Sequence, residues 1–420
     1  MNKKLIFQQL ERFIAIESVS TQKNRFSQIL KAVDFIKENL KDLGFVVDIY
    51  QKDGFPPLII AKKIVSPRAK TYGFYAHYDV QPEDPVEAWQ TLPFKLVLRN
   101  GKFYGRGVAD DKGHLIILIE AVRNLVENKE NLKNNLVFIF EGEEEIGSAH
   151  FEELVKKDKF LKKVDGFYVV DMGLKRKDQP QLFYGLRGIC EFELEVKVSE
   201  YDLHSGVYGN LVENPVQIIA HLLAKIKDEK GRIKIPGFYQ EVMKVSKKEK
   251  ALLSKSGRYE AKIYPSFDVN GIVAGYIQDG VKTIIPSKAL VKFSFRLVPN
   301  QDFKKIEKIV VDFIKKNLPK NLKYQIKTFY GSNPFYTSLD NDLVKKTSVI
   351  LKDIFGKEVI FNRSGGSVPA AEILSRLFKK PVVLLGFTLP DCNLHAPQEN
   401  FDEECFYKGI KTMEKIFQIE

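Results

Sequence analysis

Two hydrophobic periods divide this chain. Residues 1 to about 186 alternate helical patterns with short unbroken apolar runs bounded by turn signals: YGFYAHY at 72–78, LVFIFEGEE at 136–144 and DGFYVVD at 165–171. Runs without alternation belong to strands covered on both sides, so this part predicts an α/β unit with helices on both faces of a mostly parallel sheet. From about 187 the period becomes two. Phe192, Leu194, Val196 and Val198 alternate with Glu191, Glu193, Glu195 and Lys197; the alternation returns at Val291, Phe293, Phe295 and Leu297, with Lys292, Ser294 and Arg296 between them. Such strands have one wet face, and helical stretches at 214–228 and 302–317 would cover the dry one.

The expected organisation is a smaller α+β lid or dimerisation unit at 187–331, inserted into a larger one made of 1–186 and 332–420. The helical pattern at about 339–355 and the apolar run PVVLLGF at 381–387 resume the first style. The lysine-rich stretch 242–262 is the expected mobile segment.

Length and composition agree with this picture: 420 residues exceed what one core usually fills, and 44% hydrophobic with 29% charged residues is the balance of a soluble globular protein. The net charge of +12 is spread along the chain, and the runs at 175–177 and 247–250 carry no interleaved aromatics. A lysine-rich solvated surface is expected rather than a nucleic-acid partner. Cys190, Cys392 and Cys405 are far apart, odd in number and without CxxC spacing, which points to a reducing cytoplasm. Gln8, Gln9, Glu11 and Arg12 break the apolar character of the N-terminal stretch, so an amphipathic helix is expected there, and no apolar run is long enough to span a membrane.

Candidate chemistry gathers where the runs end. His77 lies in AHYDV, Asp110 in GRGVADDKG, Glu144 and Glu145 in EGEEEIGS, Asp171 in VVDMG and His395 in LHAPQE. A two-metal hydrolase needs two terminal nitrogen donors, two terminal carboxylates, one bridging carboxylate and one carboxylate to move a proton, and these stretches supply such a set. Asp79, two residues from His77, shares its side of the strand end and is placed to hold the other ring nitrogen. In isolation, Asp110–Asp111 reads as a helix N-cap and Glu143–Glu145 as a solvated face. The glutamate run, however, follows LVFIF and precedes Gly147, at a strand-to-turn boundary facing a site. His114, His150 and His221 fall in helical patterns without ligand spacing and read as structural or exposed. His204, among small and polar residues, suits a donor to an oxyanion, and Arg296, on a wet strand face, is free to bind a carboxylate in a bidentate way.

The ordered blocks HYDVQP, Trp89 with Pro93 and Phe94, GRGVADDKG, EGEEEIGS, YGLRGICEFELEV, DLHSGVYGN, KTIIP followed by FSFRLVP, RSGGSVP and the late His395 resemble the co-catalytic zinc metallopeptidases that include cytosolic nonspecific dipeptidases and carnosinases. The similarity runs from about residue 70 to the C-terminus. It implies Asp110 as the bridging ligand, Glu144 as the general base, Asp171 with His77 on one ion and Glu145 with His395 on the other. It further implies a homodimer in which His204, Thr283 and Arg296 complete the partner's site, while Gly366 and Ser367 contact the substrate carboxylate from the larger unit. The implied cofactors are two Zn²⁺ ions, with Mn²⁺ or Co²⁺ as alternatives. The implied activity is hydrolysis of dipeptides or other short peptides with a free C-terminal carboxylate. The alternative is a deacylase, desuccinylase or carboxypeptidase acting on N-acyl amino acids. Met172 departs from the polar residue common after the aspartate, which leaves the substrate preference near it open.

Overall fold

A computed structural model describes every residue except Asn131, Tyr330, Ser367 and Glu420. The main sheet has nine strands, and its centre, Asn135–Glu141, Thr71–His77, Gly166–Val170 and Val382–Leu385, is parallel throughout. Antiparallel strands flank it: Leu58–Lys63 on one side, Gln181–Leu186 on the other. The three apolar runs read from the sequence are three of the four central strands, and every residue in them is buried. Successive residues serve opposite cores: Phe74 and Phe138 join the cluster containing Phe13, Leu118 and Phe417, while Tyr75 and Ile139 join Phe151, Val155 and Leu374. Helices therefore cover both faces, and both cores must be apolar, which is why these runs do not alternate.

Register decides where the chemistry lands. His77 is paired with Glu141 in the parallel ladder, and Tyr75 with Val169, so Asp171 falls level with His77 and the turn carrying Glu144 and Glu145 begins beside it. Leu385 pairs with Val170, and the chain from there runs on to His395.

The second sheet is fully antiparallel, in the order Ser266–Ala274, Lys288–Leu297, Gly188–Lys197 and Lys323–Thr328. Helices Pro215–Ile226 and Phe303–Asn317 cover its apolar side, where Phe192, Leu194, Phe293 and Phe295 meet Ile219, Leu222 and Val310. Its wet side carries cross-strand pairs such as Lys327–Glu193 at 3.0 Å and Lys288–Glu195 at 3.2 Å.

The stretch 242–262, expected to be mobile, is not a structureless tract. It folds into helices Lys247–Ser254 and Glu260–Ile263 and returns to the edge of the main sheet. Leu253 and Ile263 pack with Tyr184, Glu249 pairs with the buried Arg363, and Lys262 donates to Asn362 Oδ1 at 2.8 Å. Its lysine content masked two apolar anchors, one in each short helix, and one glutamate paired with a buried arginine.

Candidate metal centre

His77 is fully buried at the end of its strand. Its Nδ1 lies 3.0 Å from the backbone oxygen of Asp79 and 3.3 Å from Asp79 Oδ1, and its Nε2 lies 2.9 Å from Asp110 Oδ1. His395 Nε2 lies 2.9 Å from the other oxygen of the same carboxylate, Asp110 Oδ2, and 3.4 Å from Glu145 Oε2. Two groups of side chains have the spacing to hold a cation, each with its ligand atoms within 4.8 Å: His77, Asp111 and Asp171, and Asp110, Glu145 and His395. Asp110 touches both histidines and so joins the two groups.

The donors fit a pair of divalent cations. Glu145 accepts from Gln81 Nε2 at 2.7 Å through one oxygen, while its other oxygen is buried without a partner. Burial first, then neighbouring carboxylates, raise the Asp171 pKa well above the ordinary range and push Glu144 up to about 7. Burial opposes the ionised form of Asp110 too, yet hydrogen bonds from His395 and His77 hold its pKa low. Carboxylates crowded together out of water require compensating positive charge. Imidazole nitrogens mixed with carboxylate oxygens are the donors that Zn²⁺, Mn²⁺ and Co²⁺ accept.

The surrounding bonds show how this geometry is kept. Asp79 Oδ2 accepts from Ser20 Oγ at 2.7 Å and from the Glu145 N–H at 3.1 Å, while Oδ1 accepts from the Glu144 N–H at 3.3 Å. One carboxylate thus orients both the His77 ring and the glutamate turn. Within the run, Glu143 faces away: its two oxygens take the backbone N–H of His150 at 3.1 Å and the ring Nδ1 at 2.9 Å. Asp111 stands at the N-cap position of helix Lys112–Glu127, but its side chain does not cap it. It accepts instead from the His77 N–H at 3.1 Å and from His114 Nδ1 at 2.6 Å. Because His114 Nε2 accepts from the Phe387 N–H at 2.9 Å, the proton must sit on Nδ1, aimed at Asp111.

Sequence reasoning passed over Glu399, four residues beyond His395 in the same block. It is fully buried and accepts from Arg106 Nη1 at 2.7 Å and from the N–H groups of Gly107, Ala109 and Asp110 at 2.8, 2.8 and 3.0 Å. Its one local signal is its place beside a candidate ligand.

Among the described residues, no hydrogen bond or ion pair joins the remaining candidates to this cluster. His204 and Thr283 are exposed neighbours: His204 pairs with Ile284 in a two-stranded ladder, and the Ser205 N–H donates to Thr283 O at 3.2 Å. His204 Nδ1 accepts from the Gly206 N–H at 3.1 Å. Arg296 is half-buried on its strand beside Ser266. Gly366 is exposed and its carbonyl accepts from the Arg187 N–H at 3.2 Å. Ser367, expected beside it, lies outside the described residues.

Comparison with known proteins places this arrangement in context. Residues 73–419 match the model of peptidase family M20/M25/M40. The chain is 32% identical to the Beta-Ala-His dipeptidase of Homo sapiens, over 98% of its own length and 89% of that protein's. It is 31% identical to the Cys-Gly metallodipeptidase of Saccharomyces cerevisiae, over 99% and 95%. Among solved structures, an M20 family metallo-carboxypeptidase from Sulfolobus solfataricus superimposes with a TM-score of 0.87 at 29% identity, covering 100% of this chain and 99% of that one.

Proposed function

The chain belongs to peptidase family M20/M25/M40, and from that premise we propose that it hydrolyses the peptide bond of dipeptides and other short peptides bearing a free C-terminal carboxylate. The observation that carries this reading is the single carboxylate of Asp110, whose two oxygens each face a histidine Nε2 at 2.9 Å, with Glu144 and Glu145 on the adjoining turn. The names of the two curated relatives support the substrate class.

In this reading His77 and Asp171 would hold one ion and His395 and Glu145 the other, with the Asp110 carboxylate shared between the two groups and Zn²⁺ the first choice of metal. Bound divalent ions supply Lewis acidity to the scissile carbonyl and acidify the attacking water. Glu144 takes the water's proton and passes it to the leaving amine, the work of a carboxylate positioned beside the ligands on the turn that Asp79 holds. Asp79 acts as a positioning residue, since its oxygens are spent on Ser20, His77 and the glutamate turn. Arg296, Thr283, Gly366 and Ser367 bind the substrate's C-terminal carboxylate.

As the family resemblance implies, we assign His204, Thr283 and Arg296 to the site of a second copy in a homodimer, where His204 would donate to the oxyanion. The division at 187–331 makes that copy's donor a property of the inserted unit. The three cysteines are free and buried, which supports a cytoplasmic location. No helix among the described residues is long and apolar enough to cross a membrane. The reading is tested by assaying the chain, loaded with Zn²⁺ or Mn²⁺, against dipeptides and against N-acetyl and N-succinyl amino acids. Dipeptide cleavage is expected; exclusive cleavage of the acylated compounds would replace it with the deacylase reading.

A further inference from the structure

The lysine run KKEK at 247–250 holds one acid, Glu249, and the block RSGGSVP opens on one base, Arg363. The two side chains pair across 114 residues of sequence. Arg363 is 1% exposed and ends strand Ile360–Arg363. Its stem lies against Gly185, where an added Cβ would fall 3.2 Å from Arg363 Cγ, and its guanidinium sits 5.4 and 5.0 Å from the ring centres of Tyr184 and Tyr336. Arg363 Nε and Nη1 are buried without a partner, so among the described residues Glu249 is the one carboxylate paired with this charge. A guanidinium does not shed its proton inside a protein, and its plane is therefore fixed by the two rings and by Glu249.

Glu249 is held in turn. Its N–H donates to Ser246 Oγ at 3.1 Å, at the start of helix Lys247–Ser254, and Leu253 of that helix packs with Tyr184. Beyond the helix, Lys175 donates to Ser256 O at 3.0 Å and Lys262 to Asn362 Oδ1 at 2.8 Å. The segment thus reaches the site side of the main sheet as a fastened strap.

Arg363 leads directly into the turn Ser364, Gly365 and Gly366, which has no apolar side chain of its own to bury. Backbone bonds dock it: the Ser364 N–H donates to Gly185 O at 2.9 Å, and Gly366 O accepts from the Arg187 N–H at 3.2 Å. Its side-chain anchor is Arg363. We propose that Glu249 is a positioning residue for substrate recognition: by holding Arg363 it keeps the 364–366 turn where Gly366 meets the substrate's C-terminal carboxylate. The strap then sets affinity for free-acid peptides without touching metal or substrate. This proposal rests on the hydrolase reading and on the carboxylate role given there to Gly366.

The test compares Leu-Ala with the same dipeptide amidated at its C-terminus, using metal-loaded parent and Glu249→Gln. The parent should prefer the free acid. Glu249→Gln should lower kcat/KM for Leu-Ala about tenfold, chiefly through KM, change the amide less than about twofold, and keep both ions. The double variant Glu249→Met with Arg363→Met removes both charges, so it should fold even where the single variant does not, yet still show the raised KM because a flexible thioether replaces the anchored plane. A second readout needs no substrate: hydrogen exchange at the Ser364 and Arg187 amides should be at least about tenfold faster in either variant. Equal losses on acid and amide, a loss confined to kcat, or parent-like KM in the folded double variant overturns the proposal, as does a parent indifferent to the free carboxylate. If the parent cleaves no peptide, the hydrolase reading fails, and unchanged exchange would separately show that Glu249 does not hold the turn.

Discussion

Glu399 Oε1 accepts the backbone N–H of Asp110 at 3.0 Å across 289 residues of sequence, while its other oxygen holds Arg106. The loop presenting His395 and the loop presenting Asp110 are thus pinned by one buried carboxylate. Glutamine in its place has one accepting oxygen for donors that now occupy two, and leaves Arg106 as an uncompensated buried charge. Glu399→Gln should cost about 3–5 kcal/mol of stability and weaken metal binding about 10- to 100-fold. Denaturant titration and metal titration of the variant check both effects, and parent-like values in each would remove Glu399 from the site.

Glu144→Gln should abolish turnover, by a factor of at least about 10², while both ions remain bound, because its role is to move protons and not to anchor metal. Glu143 cannot replace it, since both its oxygens are held by His150. Activity and metal content are measured on the same preparation. If Glu145→Ala rather than Glu144→Gln shows the pattern of full metal and no turnover, the two roles are exchanged.

Asp110→Ala should lower the occupancy of both ions, whereas His77→Ala and His395→Ala should each chiefly affect one. The reason is geometric: the Asp110 oxygens face the two histidines separately, at 2.9 Å each. Metal analysis after dialysis decides, and a full two-ion content in Asp110→Ala would end the bridging assignment.

Glu152 supports the packing of helix Phe151–Lys157 against helix Pro369–Phe378. Its hydrogen bond with Arg376, at 2.7 Å, is the largest cause of a pKa pulled down to about 2. A carboxyl whose folded pKa lies below its unfolded one stabilises the fold above the unfolded pKa, and the contribution is lost as pH falls toward the folded value. With both partners more than a third exposed, the effect should be about 1 kcal/mol or less. Glu152→Gln should therefore be slightly less stable than the parent at neutral pH, and the gap should narrow once the pH drops below about 4.5, as denaturant midpoints across that range would show.

If His204 acts on a second copy's site, mixing inactive His204→Ala with inactive Glu144→Ala should restore activity once subunits exchange. Random exchange makes about half the dimers mixed, each with one intact site, so about a quarter of parental activity is expected. No recovery after exchange is demonstrated by mass or fluorescence would confine His204 to its own subunit or to a structural role.

The sequence alone carried the class of the main sheet and the strand ends on which its candidate ligands lie. Unbroken runs such as LVFIF arise only when both faces of a strand are dry, and the alternation from Phe192 onward arises when one face is wet, so burial is written locally as a period. Parallel strands then bring their carboxyl ends to one edge, which is why His77, the glutamate turn and Asp171 could be grouped without coordinates. The resemblance to a family supplied the separate roles of those residues.

Tertiary structure alone decided the rest, because those contacts join residues with no shared period. Whether Asp111 caps its helix or accepts from His77 and His114 depends on where the Thr71–His77 strand ends relative to that helix. The aim of Glu143 depends on His150 across a tight turn, and the burial of Glu399 on a loop 289 residues distant. Residues 242–262 looked like a solvated lysine tract because their docking surface, Tyr184 and Arg363, belongs to the edge of another sheet. The segments carrying Asp171 and Thr388, more than two hundred residues apart, are joined by the Leu174 N–H donating to Thr388 O. A pattern of polar and apolar positions records which face of an element is dry, but not which distant group dries it.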